Sequence, residues 1–288
     1  MNLNHIKKLR EETGLGMLEV KKALQEAHDD LEQARIILNQ QTTNKESSAR
    51  VASKGLTGIV TKGDQAILFE VNAETDFVSK HPSFIEMMDV LGTHLMSSKA
   101  MTVQDAKRSQ MGDVIVEDYI NKIAHLVKEN VYLRRFHRIK KQSFQTFYTY
   151  KHQGGKLSVL LITSHVDDDI GKKIAMHIAS HGPKYLSFDE LDQNTIDDEV
   201  MMLKKEGFIG DQEEVNTYLR GLSLLDQVYL FDPQKRVKDV LSGLKIIDFY
   251  RFELGQGIEN KLNCRLDIPC DGSTITVTPS FRKGGTWS

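Results

Sequence analysis

Cysteine is scarce in this chain: only Cys264 and Cys270 occur in 288 residues. Residues 1–263 therefore hold neither a disulfide nor a thiol nucleophile. The two cysteines have no neighbouring histidine pair to complete a zinc site, so a pair of ordinary tail thiols is expected. No apolar run approaches the roughly 18 residues that a membrane-spanning helix needs. The segment Met1 to Lys8 lacks the apolar core of a secretory signal, which points to the cytoplasm and to no membrane partner. A formal charge of -2 and a pI near 6.6 give no overall field towards nucleic acid or anionic lipid. Any basic function must be local.

Catalytic and cofactor signatures are also missing. Gly-x4-Gly-Lys-Ser/Thr is absent, and Gly14-x-Gly16-x-x-Glu19 lacks both the third glycine and a preceding strand. There is no His-Glu-x-x-His and no Gly-x-Ser-x-Gly elbow, and the ten histidines are scattered without ligand spacing. No cofactor, no metal and no covalent catalysis are expected.

What the chain does have is ordinary globular composition, 40% hydrophobic and 27% charged, in a length that suits two or three compact units. Residues 2–39 read as three short helices carrying Leu3, Ile6 and Leu9, then Met17, Val20, Leu24 and Ala27, then Leu31, Ala34 and Leu38. Each is too short to be stable alone, so they are expected to form one bundle over residues 1–40. Asp30 and Gln33 have capping-box spacing at the third start. The polar stretch 41–54 reads as a connector.

Beyond it, Gly58–Lys62 and Gln65–Asn72 flank Gly63-Asp64, a hairpin signal. Pro82 opens a helix with Phe84, Met87, Met88, Leu91 and Leu95 on one face. The segment between, Ala73 to Val78, is thus a strand-to-helix loop. A helix through Tyr119, Ile123 and Val127, a strand over Leu133–Ile139 and a hairpin across Gly154-Gly155 follow. A helix over Asp168–His181 repeats Ile170, Ile174 and Ile178. Ser187–Ser223 reads as two antiparallel helices, with Val200, Leu203, Val215, Leu219 and Leu222 as contacts. Strands are expected over Val228–Phe231 and Ile246–Leu254, with a short helix Val237–Leu241 between them. The fold class is α+β. The organisation is 1–40, a linker 41–54, an α+β subdomain 55–140 and a second subdomain 141–260 with an inserted helical hairpin 187–223. The divergent tail 261–288 is read as disordered or a loose hairpin.

Several residues admit two readings. Asp167 to Asp169 could chelate a cation, yet acids at this position cap helices. Asp76 and His81, or His177, could be imagined in acid–base roles, but no nucleophile stands beside them and His177 reads as a packed helix residue. Arg134, Arg135, Arg138, Lys140 and Lys141 around Phe136 could hold phosphates and stack a base. A sheet edge with outward charges explains them as well. Phe77 could fold inward or be offered to a partner.

Read together, Leu9 to Met17, Lys21-Lys22-Ala23-Leu24 and Val71-Asn72-Ala73-Glu74-Thr75-Asp76-Phe77-Val78 resemble the elongation factor Ts family, guanine-nucleotide exchange factors of elongation factor Tu. Ile174 to Ala179, Pro183 to Leu186, Leu224 to Gln227 and Phe249 to Glu259 are similar to further family blocks in the same order. The resemblance covers residues 2–260. It implies an N-terminal ubiquitin-associated-like three-helix domain, a core of two α+β subdomains and a projecting helical hairpin. It also implies that Thr75, Asp76, Phe77 and Val78 enter the G domain of elongation factor Tu, disturb its magnesium site and loosen GDP. Leu15, Gly16, Met17, Lys21 and Lys22 would grip the same G domain. His152, in Tyr150-Lys151-His152-Gln153-Gly154-Gly155, would approach from the second subdomain. No direct nucleic-acid binding is implied. Gln153 and Ser158 stand where the family commonly has glycine, Ser187–Ser223 is shorter than many family hairpins, and the tail has no counterpart.

Overall fold

The structure, a computed structural model, describes residues 5, 6, 8–10, 17–44, 52–205, 207 and 210–258. Leu3, Leu15, Gly16, Cys264, Cys270 and the tail 261–288 lie outside them. The described chain is mixed α+β and divides into two compact units. One draws on 1–56 and 70–136, the other on 57–69 and 137–257. The division falls within the strands over 54–62, 65–73 and 131–140.

In the first unit, residues 5, 6 and 8–10 are helical, followed by α1 (Met17–Glu26) and α2 (Leu31–Asn44). Ile6, Leu9, Val20, Ala23, Leu24, Ala27, Ala34 and Leu38 form one buried cluster. His28 and Asp29 adopt positive φ and stop α1, and Asp30 then accepts the Glu32 and Gln33 amides at 2.9 and 3.0 Å to start α2. Two expectations shift. Met17 is 56% exposed and leaves the core face, and α2 runs on to Asn44, past the expected start of the connector. Gln40 and Gln41 are good helix formers and need no apolar stripe to continue a helix already packed upstream.

Strands β1 (Lys54–Lys62) and β2 (Gln65–Ala73) form the hairpin expected around Gly63, which turns at φ +60°. They make a sheet of order β1-β2-β5 with β5 (Val131–Lys140). After β2 comes α3 (Pro82–Ser97), burying Phe84, Met87, Met88, Leu91 and Leu95. Then follow α4 (Val103–Arg108), β3 (Gln110–Met111), β4 (Val114–Ile115) and α5 (Val116–Val127). The inward face of α5 is Val116, Ile120 and Ile123, leaving Tyr119 half-buried.

In the second unit, β6 (Thr146–His152), β7 (Leu157–Thr163) and β10 (Ile246–Glu253) form an antiparallel sheet of order β10-β7-β6. Every residue of β7 is buried, so alternate side chains feed two cores. Val159 and Leu161 meet α6 (Asp168–His181) through Ile174 and Ile178, while Leu160 and Ile162 join Leu68, Ile139 and Phe252. The α6 start is capped by Asp167, whose carboxylate accepts the Ile170 amide. The acidic run is thus a helix start.

The helical pair α7 (Gln193–Lys205) and α8 (Gln212–Leu222) is pinned at its base. Tyr185 and Ser223 form a parallel bridge, and the Leu224 and Leu225 amides donate to the Tyr185 and Leu186 carbonyls at 2.8 and 2.9 Å. Beside it the buried position on α7 is an acid, Glu199, where Val200 was expected and is only half-buried. Lys184 and the Tyr185 hydroxyl donate to Glu199 at 3.0 and 2.6 Å. Burial, with that carboxylate next to it, pushes the Tyr185 phenol well above its usual range. Asp226 is also buried. Burial alone would raise its carboxyl, but the Phe188 amide, Lys238 and Arg220 together hold it below the usual range. Strand β8 (Val228–Tyr229) ends earlier than expected, because Leu230 and Phe231 turn the chain into β9 (Asp232–Arg236) before α9 (Val237–Val240).

His177 ties these parts together. Its Nδ1 accepts the Leu230 amide at 3.2 Å, so Nε2 carries the proton and donates to Gln227 at 2.9 Å. Gln227 in turn donates to the Gly221 carbonyl at 2.6 Å. Burial lowers the imidazole pKa from 6.5 to about 4, assisted by stacked His181 and opposed by the Gln227 bond. The unfolded chain binds this proton near pH 6.5 and the folded chain only near 4, so the stability of the neutral form is complete above pH 6.5. It is lost as pH falls towards 4. We expect the stability advantage of the wild type over His177→Gln to shrink by on the order of 2–3 kcal/mol across that window in urea titrations. A pH-independent difference would contradict it.

Candidate functional site

The segment after β2 leaves the sheet at Ala73, which is fully buried, and is tucked in again at Val78, 4% exposed. Between them Phe77 is 85% exposed, and Asp76 is half-buried. A short 3-10 turn over Val78–Lys80 follows: the Lys80 amide donates to the Phe77 carbonyl at 3.1 Å, and the Ser79 hydroxyl to the Asp76 carbonyl at 2.7 Å. His81 then caps α3, its Nδ1 accepting the Ser83 amide at 3.3 Å with Pro82 at the first helical position. That imidazole nitrogen is engaged in holding a helix start. Val78 and Ser79 are seated inward and Phe77 stands outward.

The loop is also fixed from a distance in sequence. The Glu129 carboxylate accepts the Thr75 amide at 2.9 Å and the Thr75 hydroxyl at 2.5 Å. Reciprocally, the Glu74 carboxylate accepts the Asn130 amide at 3.2 Å and its side-chain NH2 at 2.6 Å. Glu129 and Asn130 reach the loop because Lys128, left-handed at φ 59°, ends α5 and reverses the chain into β5. Nothing in the sequence pattern singles these two residues out. Position 128 alone carries a hint, since a helix followed closely by a strand demands a sharp reversal.

Of the other residues singled out from the sequence, Met17, Lys21 and Lys22 are exposed on α1, and Leu15 and Gly16 lie outside the described residues. His152 is exposed at the end of β6, its Nδ1 3.2 Å from the Tyr150 hydroxyl with the rings stacked. The turn behind it runs through Gln153, Gly154 and Gly155 at φ 48°, 68° and 109°. It is tied down by Thr57, whose hydroxyl donates to the Gly155 carbonyl at 2.7 Å and lies 2.8 Å from the Ser158 hydroxyl.

The basic strand is largely consumed within the fold. Arg134 and Arg135 both hold buried Glu70, at 3.0 and 2.7 Å, and Arg138 donates to Gln65 at 3.2 Å. Lys140 pairs with Asp64 at 3.5 Å, and Lys141 lies over the Phe147 ring. His177 has both ring nitrogens in structural bonds. Among the described residues no cluster of three His, Cys, Asp or Glu could hold a metal, and no helix is long and apolar enough to cross a membrane.

The left-handed Gln153 carries a strain that glycine would not. Gln153→Gly is therefore expected to raise stability by about 0.5–1 kcal/mol in chemical denaturation, the relief exceeding the entropy that glycine loses. A lower midpoint would contradict this account of the turn.

The family model described as Elongation factor TS matches residues 74–256. An elongation factor Ts of Acholeplasma laidlawii (strain PG-8A) is 35% identical over 277 residues, covering 90% of this chain and 94% of that protein. One from Spiroplasma citri is 33% identical over 275 residues, covering 89% and 93%. The matched span opens at Glu74, where the clamped loop with its outward phenylalanine begins, and runs through the pinned helical pair to β10. The chain belongs to the elongation factor Ts family.

Proposed function

We propose that this chain binds GDP-bound and nucleotide-free elongation factor Tu and speeds exchange of GDP for GTP by inserting Asp76 and Phe77 beside the partner's magnesium and nucleotide site. Family membership implies nucleotide exchange on elongation factor Tu, a translation function without covalent chemistry. The observation that carries the finer reading is Phe77, 85% exposed on a loop whose flanks are held by side-chain bonds. An aromatic left in water forgoes the gain of burial, and a partner's pocket can return it.

In this reading Thr75 and Val78 frame the wedge. Leu15, Gly16, Met17, Lys21 and Lys22 grip the G domain from a ubiquitin-associated-like domain over 1–40, joined by a connector over 41–54. His152 approaches from a subdomain over 141–260, which follows one over 55–140 and carries the helical hairpin 187–223. The factor works in the cytoplasm without cofactor, membrane or nucleic acid.

Exchange is linkage: a factor that prefers the nucleotide-free partner must weaken GDP by the same ratio that GDP weakens it. Moving the partner from 1:99 to 99:1 takes about 5.5 kcal/mol of differential binding. Burying one phenylalanine supplies roughly 1.5–3 kcal/mol. The wedge alone falls short, which is why several separated surfaces engage one partner. Phe77→Ala is expected to retain the fold and much of the affinity while slowing GDP release about 10- to 100-fold, the rate equivalent of that burial. Stopped-flow release of fluorescent GDP from elongation factor Tu measures this, and unchanged release would sink the insertion mechanism.

A further inference from the structure

We infer that Glu129 and Asn130 are positioning residues for exchange, Glu129 acting on the amide and hydroxyl of Thr75 and Asn130 on the side chain of Glu74 just before it. This rests on the insertion reading above. Side-chain bonds between the β2 and β5 stretches run Gln65 to Arg138, Glu70 to Arg134, Glu74 to Asn130 and Thr75 to Glu129. One index rises as the other falls, so the contacts follow an antiparallel register. The last two lie beyond the ends of both strands, at Ala73 and Val131. Side chains thus continue a ladder that the backbone has stopped.

A backbone ladder would have flattened the segment into sheet and alternated its side chains. The clamp acts on Glu74 and Thr75, and the chain turns beyond them into the bond between the Ser79 hydroxyl and the Asp76 carbonyl. Glu129 takes the main-chain and hydroxyl donors of Thr75, which fixes the position and rotation of that peptide unit, and Asn130 donates its own amide and side-chain NH2 to Glu74, which holds the Glu74 side chain against the start of β5. Without Glu129 the Thr75 amide loses its fixed acceptor, and Phe77, two residues on, loses its fixed point of departure. The insertion step then carries the ordering entropy that the clamp removes in advance. Glu129 and Asn130 are only part-exposed and themselves sit on the left-handed reversal at Lys128, so they are rigidly placed.

The test uses the full chain and elongation factor Tu loaded with fluorescent GDP, comparing Glu129→Ala, Glu129→Gln, Asn130→Asp and Phe77→Ala. Glu129→Ala should lower the maximal release rate about ten-fold with a half-saturating concentration within about three-fold of wild type. Glu129→Gln, which keeps one acceptor for the Thr75 amide, should recover most of the rate. Asn130→Asp, which sets a carboxylate against Glu74, should behave like Glu129→Ala. Hydrogen exchange at the Thr75 amide should quicken in Glu129→Ala in the absence of partner. A wild-type maximal rate for Glu129→Ala beside a slow Phe77→Ala overturns positioning by Glu129. So does a loss that tracks a fallen melting temperature equally in the Ala and Gln variants. If Phe77→Ala releases GDP normally, the insertion reading fails, and Thr75 exchange still reports whether the clamp holds the loop.

Discussion

A carboxylate that accepts a main-chain N–H and a hydroxyl from the same residue fixes that residue more firmly than an apolar contact of equal size, because hydrogen bonds are directional. The bond pair from Glu129 to Thr75 has this character, and the exposed loop depends on it. An aromatic held in water by a floppy segment would fold back on the nearest apolar surface. Phe77 does not, because the chain before it is clamped and the chain behind it is anchored by Val78 and by the capped start of α3.

The second unit applies the same principle to architecture. Helices α7 and α8 share little apolar surface, with Leu203, Val215 and Leu219 as the buried hydrophobic positions. Their orientation is set at the base by two buried acids, Glu199 and Asp226, each surrounded by donors from neighbouring segments. Replacing such groups one at a time leaves a partner desolvated without compensation, so each is far costlier to remove than its net contribution to stability. The blocks Pro183–Leu186 and Leu224–Gln227, conspicuous in the sequence, are the two ends of this arrangement.

Much of the fold was legible because it follows periodicity. The β1–β2 hairpin around Gly63-Asp64, the apolar face of α3 and the isoleucines of α6 are local patterns, and local patterns survive folding. Phe77 was not legible, since a lone aromatic in a loop has no period and its exposure is settled by contacts made elsewhere. The clamp lay deeper still: Glu129 and Thr75 are 54 positions apart and joined by two bonds that neither residue type advertises. Arg134 and Arg135 leave two readings open in the sequence, phosphate contacts or charges at a sheet edge. A basic run looks like a nucleic-acid surface until its counter-charge, Glu70, is found buried on the adjacent strand. Glu199 escaped because hydropathy assigns buried helix positions to apolar residues, and only the tertiary neighbours Lys184 and Tyr185 make an acid viable there.

The bridge between Tyr185, ahead of α7, and Ser223, just past the end of α8, brings the two ends of the helical pair side by side. The closure entropy of the intervening chain grows only slowly with its length once its ends are fixed. Evolution can therefore shorten, extend or re-face this limb without re-registering the sheet beneath it. The limb is a replaceable part, whose length sets its reach while the body's design stays intact.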